Sequence, residues 1–113
     1  KAPAIVASLD VAGWTIQHGD RTVEGDRALI GHHHPALHAE GVSSRCFLAG
    51  PKLLILPAFS QDAAGMNVAS AARPAAWSNA GLRCLAAVDD AILDFGLLDT
   101  LAGRLRSALT RAR

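Results

Sequence analysis

The chain is expected to fold as an α/β domain, on three observations. Half of its 113 residues are apolar yet only 4% are aromatic, which suits a core of small side chains rather than a disordered or fibrous chain. Several apolar runs have strand length and are bounded by Gly or Pro. Residues 97–113 carry one apolar stripe at helical spacing. A chain of this length fits one domain and buries roughly two-thirds of its unfolded surface.

Residues 5–10 and 14–18 predict two strands around a tight Ala12-Gly13 turn, because Trp14, Ile16 and His18 alternate with Thr15 and Gln17. Residues 21–27, with Gly25 and four charges, read as a connecting loop. Ala28, Leu29 and Ile30 predict a short buried strand that runs into Gly31. The next strand is expected to carry His38 after Pro35-Ala36-Leu37, with His38 read as a surface residue or as one that backs a metal ligand. Residues 45–49 and 52–56 predict a strand pair joined by Gly50-Pro51, buried on both faces because successive positions are apolar. Residues 57–79 are rich in Ala, Ser, Gly and Pro and read as a long loop with one helical turn near 62–66. Residues 82–88 and 91–95 predict a hairpin closed by Asp89-Asp90. Leu97, Leu98, Leu101, Leu105, Ala108 and Leu109 form the stripe of a helix over 97–113. Asp99 lies in its first turn and Arg111 and Arg113 in its last, as the helix dipole prefers.

A net charge of +1 gives no bulk electrostatic argument for nucleic acid or a membrane surface. Arg104 and Arg106 read as the solvated side of the last helix. The longest apolar stretch, 84–88, is far too short to span a bilayer, so no membrane partner is expected. Cys46 and Cys84 lie far apart, each inside an apolar segment. They read as reduced core thiols of a cytoplasmic protein. The chain opens on Lys1 with no signal-peptide pattern behind it, and is expected to be a piece of a longer protein.

The stretch that carries chemistry is Gly31-His32-His33-His34-Pro35. Three successive imidazoles between an apolar strand and a proline are not a packing pattern. If the segment is extended, His32 and His34 point to one side about 6.7 Å apart, at roughly 3.3 Å per residue. Each could then hold one member of a metal pair about 3.5–4 Å apart, the spacing of two-metal hydrolysis, and His33 would face the other way. His18 shares a face with Trp14 and Ile16, where a core role is the ordinary expectation. Its place at a strand end, before Gly19-Asp20, favours a ligand role once it is weighed with the three histidines.

His18-Gly19-Asp20 followed by Gly31-His32-His33-His34-Pro35 resembles the C-terminal half of the calcineurin-like metallophosphoesterases. Within them it is most similar to the small bacterial and archaeal phosphoesterases that include the DNA-ligase-associated enzymes. Leu56-Pro57-Ala58-Phe59, leading to Gly65 and Asn67, adds to the likeness, which covers residues 11–68 well and the remainder loosely. The resemblance implies mixed β-sheets flanked by helices, the C-terminal half of a four-layer sandwich, so that residues 1–113 form a single but partial domain. It also implies that His18 and His32 bind one metal and His34 the other, the cofactors being two divalent ions, manganese, iron or zinc. Water held between two such cations acquires a pKa near 7 and attacks a phosphoester. A phosphoester substrate is therefore expected, with nucleic acid as one candidate, and a homo-oligomer is compatible with the sequence.

The family's first half supplies Asp-x-His, Gly-Asp and Gly-Asn-His blocks. This chain has no Asp-x-His and no Gly-Asn-His, and Gly19-Asp20 and Gly25-Asp26 follow His18 rather than precede it. Activity is accordingly expected only when a missing N-terminal half of the same domain completes the site. The catalytic acid is not assigned. Asp20 is weighed as an acceptor that orients His18 against a turn cap, and His33 as a substrate-phosphate donor against an exposed spacer. Asn67 reads as a loop hydrogen-bonding residue. Two other classes compete: a single-metal cupin-like barrel using His32, His34 and Glu40, whose spacing fits poorly, and a structural interaction fragment in which the histidines are incidental.

Overall fold

The computed structural model describes residues 8–20, 23–39, 42–58, 65–68, 70 and 73–101. Nine strands run in chain order: β1 (Ser8–Val11), β2 (Trp14–Gln17), β3 (Ala28–Ile30), β4 (Pro35–Ala39), β5 (Val42–Ala49), β6 (Leu53–Ile55), β7 (Met66–Asn67), β8 (Arg83–Val88) and β9 (Ala91–Leu97). β5 belongs to two sheets. Its first half pairs with β4, Val42 to Arg45 facing Ala39 to Ala36, and β4 pairs in parallel with β7. Its second half pairs antiparallel with both β6 and β8. From β6 the larger sheet continues through β3, β2 and β1, and from β8 it continues to β9.

The two hairpins close where two-residue breaks separate apolar runs, Ala12-Gly13 between β1 and β2 and Asp89-Asp90 between β8 and β9. Opposite Cys84 the register of β9 slips, since Arg83 faces Leu97 while Leu85 faces Asp94, the two-against-one count of a β-bulge. Asp94 holds this bulge, accepting from the Gly96 N–H at 2.9 Å and from Arg83 Nε at 2.9 Å.

The core joins both sheets through Ile30, Leu37, Cys46, Leu48, Ile55, Val68, Trp77, Leu82, Cys84 and Leu98. No polar or charged residue is buried among the described residues. Leu48 and Ile55 are fully enclosed, each contributing about 1.5–3 kcal/mol of transfer free energy by the usual area scale. Along β5 and β8 buried positions alternate with open ones: Cys46 and Leu48 in and Arg45 out, Cys84 and Ala86 in and Arg83 out. On β6 Ile55 alone is buried, with Leu53 and Leu54 half-buried, so for β5 and β6 the expectation of strands buried on both faces is corrected. At the outer strands Leu9, Val11, Ile92, Leu93 and Leu97 are exposed.

The expected helices are mostly absent from the described residues. Residues 98–101 form a helical turn that buries Leu98 and Leu101, and residues 102–113 of the predicted helix lie outside the described set. The long loop contains β7 and a 3-10 turn, Ala75–Trp77. The helical turn expected near 62–66 falls largely outside the described residues, and Met66 is in a strand. Strands dominate, without flanking helices among the described residues, and no described helix is long and apolar enough to cross a membrane.

Candidate metal centre

β2 and β3 run parallel, with Thr15, Ile16 and Gln17 opposite Ala28, Leu29 and Ile30. Parallel neighbours finish at the same edge of a sheet, so His18 and Gly31-His32 leave it side by side. The Gly31 N–H donates to the His18 carbonyl at 3.1 Å and prolongs the ladder by one rung. β6, parallel to β3, ends there too, with the Leu56 N–H donating to the Ile30 carbonyl at 2.9 Å. Sites in sheets of this kind commonly lie beyond the carboxyl ends of parallel strands.

Gly19 makes the approach possible. Its φ is +98°, and a Cβ there would stand 2.8 Å from the Cβ of Ile30, so only glycine lets the chain turn away this close to β3. The His-Gly pair thus has a steric reason as well as a chemical one.

His18 and His32 converge. Nε2 of His18 and Nδ1 of His32 are 2.7 Å apart, and their rings meet edge to face with centroids 4.7 Å apart. Between neutral imidazoles one nitrogen donates and the other accepts, and either lone pair can instead ligate a cation. Both residues are exposed, so solvent ions can reach the pair. The His33 ring meets that of His32 at 4.9 Å and its other neighbour, Trp77, at 5.6 Å. Burial, followed by the neighbouring imidazoles His32, His18 and His34, holds His33 below its ordinary value of 6.5.

The turn is not extended, which corrects the expectation of alternating faces. Residues 32 and 33 form a bend and His34 has φ +51°, a left-handed conformation that histidine tolerates better than most side chains. His33 therefore packs beside His32 instead of facing away. His34 is half-buried and its carbonyl accepts from the Met66 N–H at 2.8 Å. Gly65 lies against this corner so closely that a Cβ would fall 2.6 Å from the Cβ of Ala36.

Among the sequence-predicted site residues, the structure brings His18, His32 and His33 into ring contact. His34 is the next residue of the same turn, with no ring contact to them among the described residues. Asp20 is exposed, and among the described residues no hydrogen bond joins it to His18. His38 is exposed on β4, Asn67 is half-buried in β7, and Glu40 lies outside the described residues. Among the described residues no three His, Cys, Asp or Glu side chains form a group able to hold a metal ion. The two imidazole nitrogens face each other at hydrogen-bond distance and would part slightly to share a cation as two of its ligands, and the carboxylate oxygens of a metal pair are not gathered among the described residues.

Trp77 is the residue sequence reasoning missed. It is 1% exposed and seats His33. The available signal was its isolation, since it is the one aromatic residue between Phe59 and Phe95.

A solved structure shares this architecture. The crystal structure of the nuclease MPE of Pseudomonas putida matches with a TM-score of 0.55 and 21% identity, over 77% of this chain and 40% of that one. The chain thus spans less than half the length of that nuclease, and the likeness is one of fold. No family model and no curated protein matches the chain. The parallel pairs β2/β3, β3/β6 and β4/β7 also set the chain apart from a cupin-like jelly roll, which is antiparallel.

Proposed function

We propose that the chain supplies histidine ligands to a two-metal phosphoesterase centre of the calcineurin-like type, as the C-terminal half of a four-layer sandwich. The observation that carries this reading is the 2.7 Å approach of His18 Nε2 to His32 Nδ1 at the adjoining ends of two parallel strands. The nuclease fold adds support, as do Leu9 and Val11, exposed on the outer strand β1 where further polypeptide would pack.

In this reading His18 and His32 bind one divalent ion as neutral imidazoles and His34, on the same turn, binds the second. Manganese, iron or zinc suits a site of imidazole and oxygen donors. When bound, such a pair supplies Lewis acidity and a water ionised near neutral pH, for in-line attack on a phosphoester. The chain's own contribution is to fix ligand direction: the β2/β3 ladder sets the His18 to His32 spacing, and the close packing of Gly19 on Ile30 holds it. Asp20 is placed to orient His18 only if the His18 ring turns toward it. The remaining donors, including a bridging carboxylate and the acid that protonates the leaving group, come from polypeptide equivalent to the part of the nuclease this chain does not span. Nucleic acid is the proposed substrate class, taken from the nuclease alone.

Elemental analysis and hydrolysis of bis(p-nitrophenyl) phosphate test the reading, with this chain alone and with the complementary half of the domain supplied. The chain alone is expected to retain little metal and no activity, and the completed domain to hold two metals and turn over. His32→Ala and His34→Ala should each abolish that turnover. Normal turnover by both variants contradicts the proposal.

A further inference from the structure

The turn of residues 31–34 is held by two backbone hydrogen bonds, Gly31 N–H to the His18 carbonyl and Met66 N–H to the His34 carbonyl. Neither sets the direction of a ring. The rings are instead arranged as a file: Trp77 to His33 at 5.6 Å and 89°, His33 to His32 at 4.9 Å and 76°, and His32 to His18 at 4.7 Å and 70°. Each contact is edge to face, the geometry aromatic quadrupoles prefer. One end of the file is exposed at His18, and the other is locked in the core at Trp77.

Trp77 is itself clamped. It ends a 3-10 turn, with its N–H donating to the Pro74 carbonyl at 3.1 Å. Arg73, 11% exposed, reaches across that turn, donating to the Val68 carbonyl at 3.3 Å, to Ser78 Oγ at 3.3 Å and to Asp99 Oδ1 at 3.1 Å. The other oxygen of Asp99 accepts from the Asn79 N–H at 3.0 Å. Residues on both sides of Trp77 are thereby tied to the helical turn of residues 98–101.

We infer that Trp77 is a positioning residue of the histidine cluster: through His33 it fixes the ring of His32, and so the point at which His32 and His18 converge. This rests on the reading of His18 and His32 as cation ligands for its functional meaning, but not for its geometry. A residue that only fills the core would stabilise the fold without governing the His18 ring, which makes no ring contact with Trp77 or His33 among the described residues. Outer partners of metal-bound histidines commonly change affinity by roughly 10- to 100-fold when removed, and Trp77 acts one ring further out, so a loss of roughly tenfold is expected.

The test uses the whole chain without metal, read by long-range 1H–15N spectra of the imidazoles, and then the same samples titrated with Zn2+. Trp77→Leu should move the His18 ring signals and weaken Zn2+ binding roughly tenfold, and Trp77→Phe, which keeps a ring on His33, should restore both. Because Trp77→Leu opens the core, a second pair repeats the test from the other side of the contact: His33→Leu should act like Trp77→Leu, and His33→Phe like the parent chain. His18 signals and Zn2+ affinity unchanged in His33→Leu would overturn the inference. Ring shifts in a parent chain that takes no Zn2+ would remove the metal reading and leave the positioning role supported.

Discussion

Nε2 of His18 and Nδ1 of His32 stand 2.7 Å apart because the strands that deliver them run parallel and end on the same rung. Fourteen positions of chain separate the two histidines, and the last hydrogen bond of the ladder joins the Gly31 N–H to the His18 carbonyl. The pairing of β2 with β3 is therefore part of the site, and disturbing it should disturb the histidines.

Gly19→Ala is the sharpest test of that link. The added methyl meets Ile30 at 2.8 Å in a backbone with φ +98°, and both strain and overlap oppose it. A loss of roughly 1–3 kcal/mol in stability is expected, measurable by urea unfolding, together with displaced His18 ring signals. A variant as stable as the parent, with unmoved signals, would show that the turn has another way to close.

Cys46 and Cys84 sit diagonally across β5 and β8, Cys46 facing Ala86 and Cys84 facing Leu48, and both are free and buried. A hydrogen bond with Cys84 and then burial raise the Cys46 thiol above its ordinary value of 9.0. The folded chain therefore keeps this proton to higher pH than the unfolded chain does. The Cys46 contribution to stability is unaffected below the ordinary thiol range and falls as pH rises above it, where the unfolded thiol ionises first, while the same hydrogen bond lowers Cys84 and works in the opposite sense. In native protein at pH 8 both thiols should resist a disulfide reagent and become reactive only on unfolding. Rapid labelling of the native chain would show that the core opens at this point.

Asp94 answers to pH in the opposite sense. The Gly96 N–H first, and Arg83 second, hold its carboxyl below the ordinary value of 3.8. Its support for the β8/β9 bulge is complete above that value and is lost as pH falls through the lowered one. Its open position at the surface keeps the effect local. Hydrogen exchange at the β9 amides should speed up in Asp94→Ala at neutral pH and leave β5 unchanged. Equal protection of β9 in both proteins would remove the carboxylate from the account of the bulge.

The two hairpins were legible in the residues, because Ala12-Gly13 and Asp89-Asp90 interrupt runs of strand length. The ladder between β2 and β3 was not, since parallel pairing joins segments with no turn between them and leaves no local mark. β7 was missed because two residues, Met66 and Asn67, are too few to show a period, and its pairing is with Pro35 and Ala36 far back in the chain. At the site, the histidines were visible as residue types. Their directions were not: His34 adopts φ +51°, and one such residue ends the strict alternation on which the 6.7 Å estimate relied. Trp77 was overlooked because its surroundings in sequence are small residues, while its partner in space lies in the turn after β3.

A Zn2+ titration of the whole chain, followed by 15N shifts of the imidazoles, tests the central claim most directly. The account predicts that His18 Nε2 and His32 Nδ1 shift together along one weak binding curve, and that His18→Ala or His32→Ala removes the response of the surviving partner. Rings that stay unmoved by Zn2+, or that follow separate curves, would contradict it.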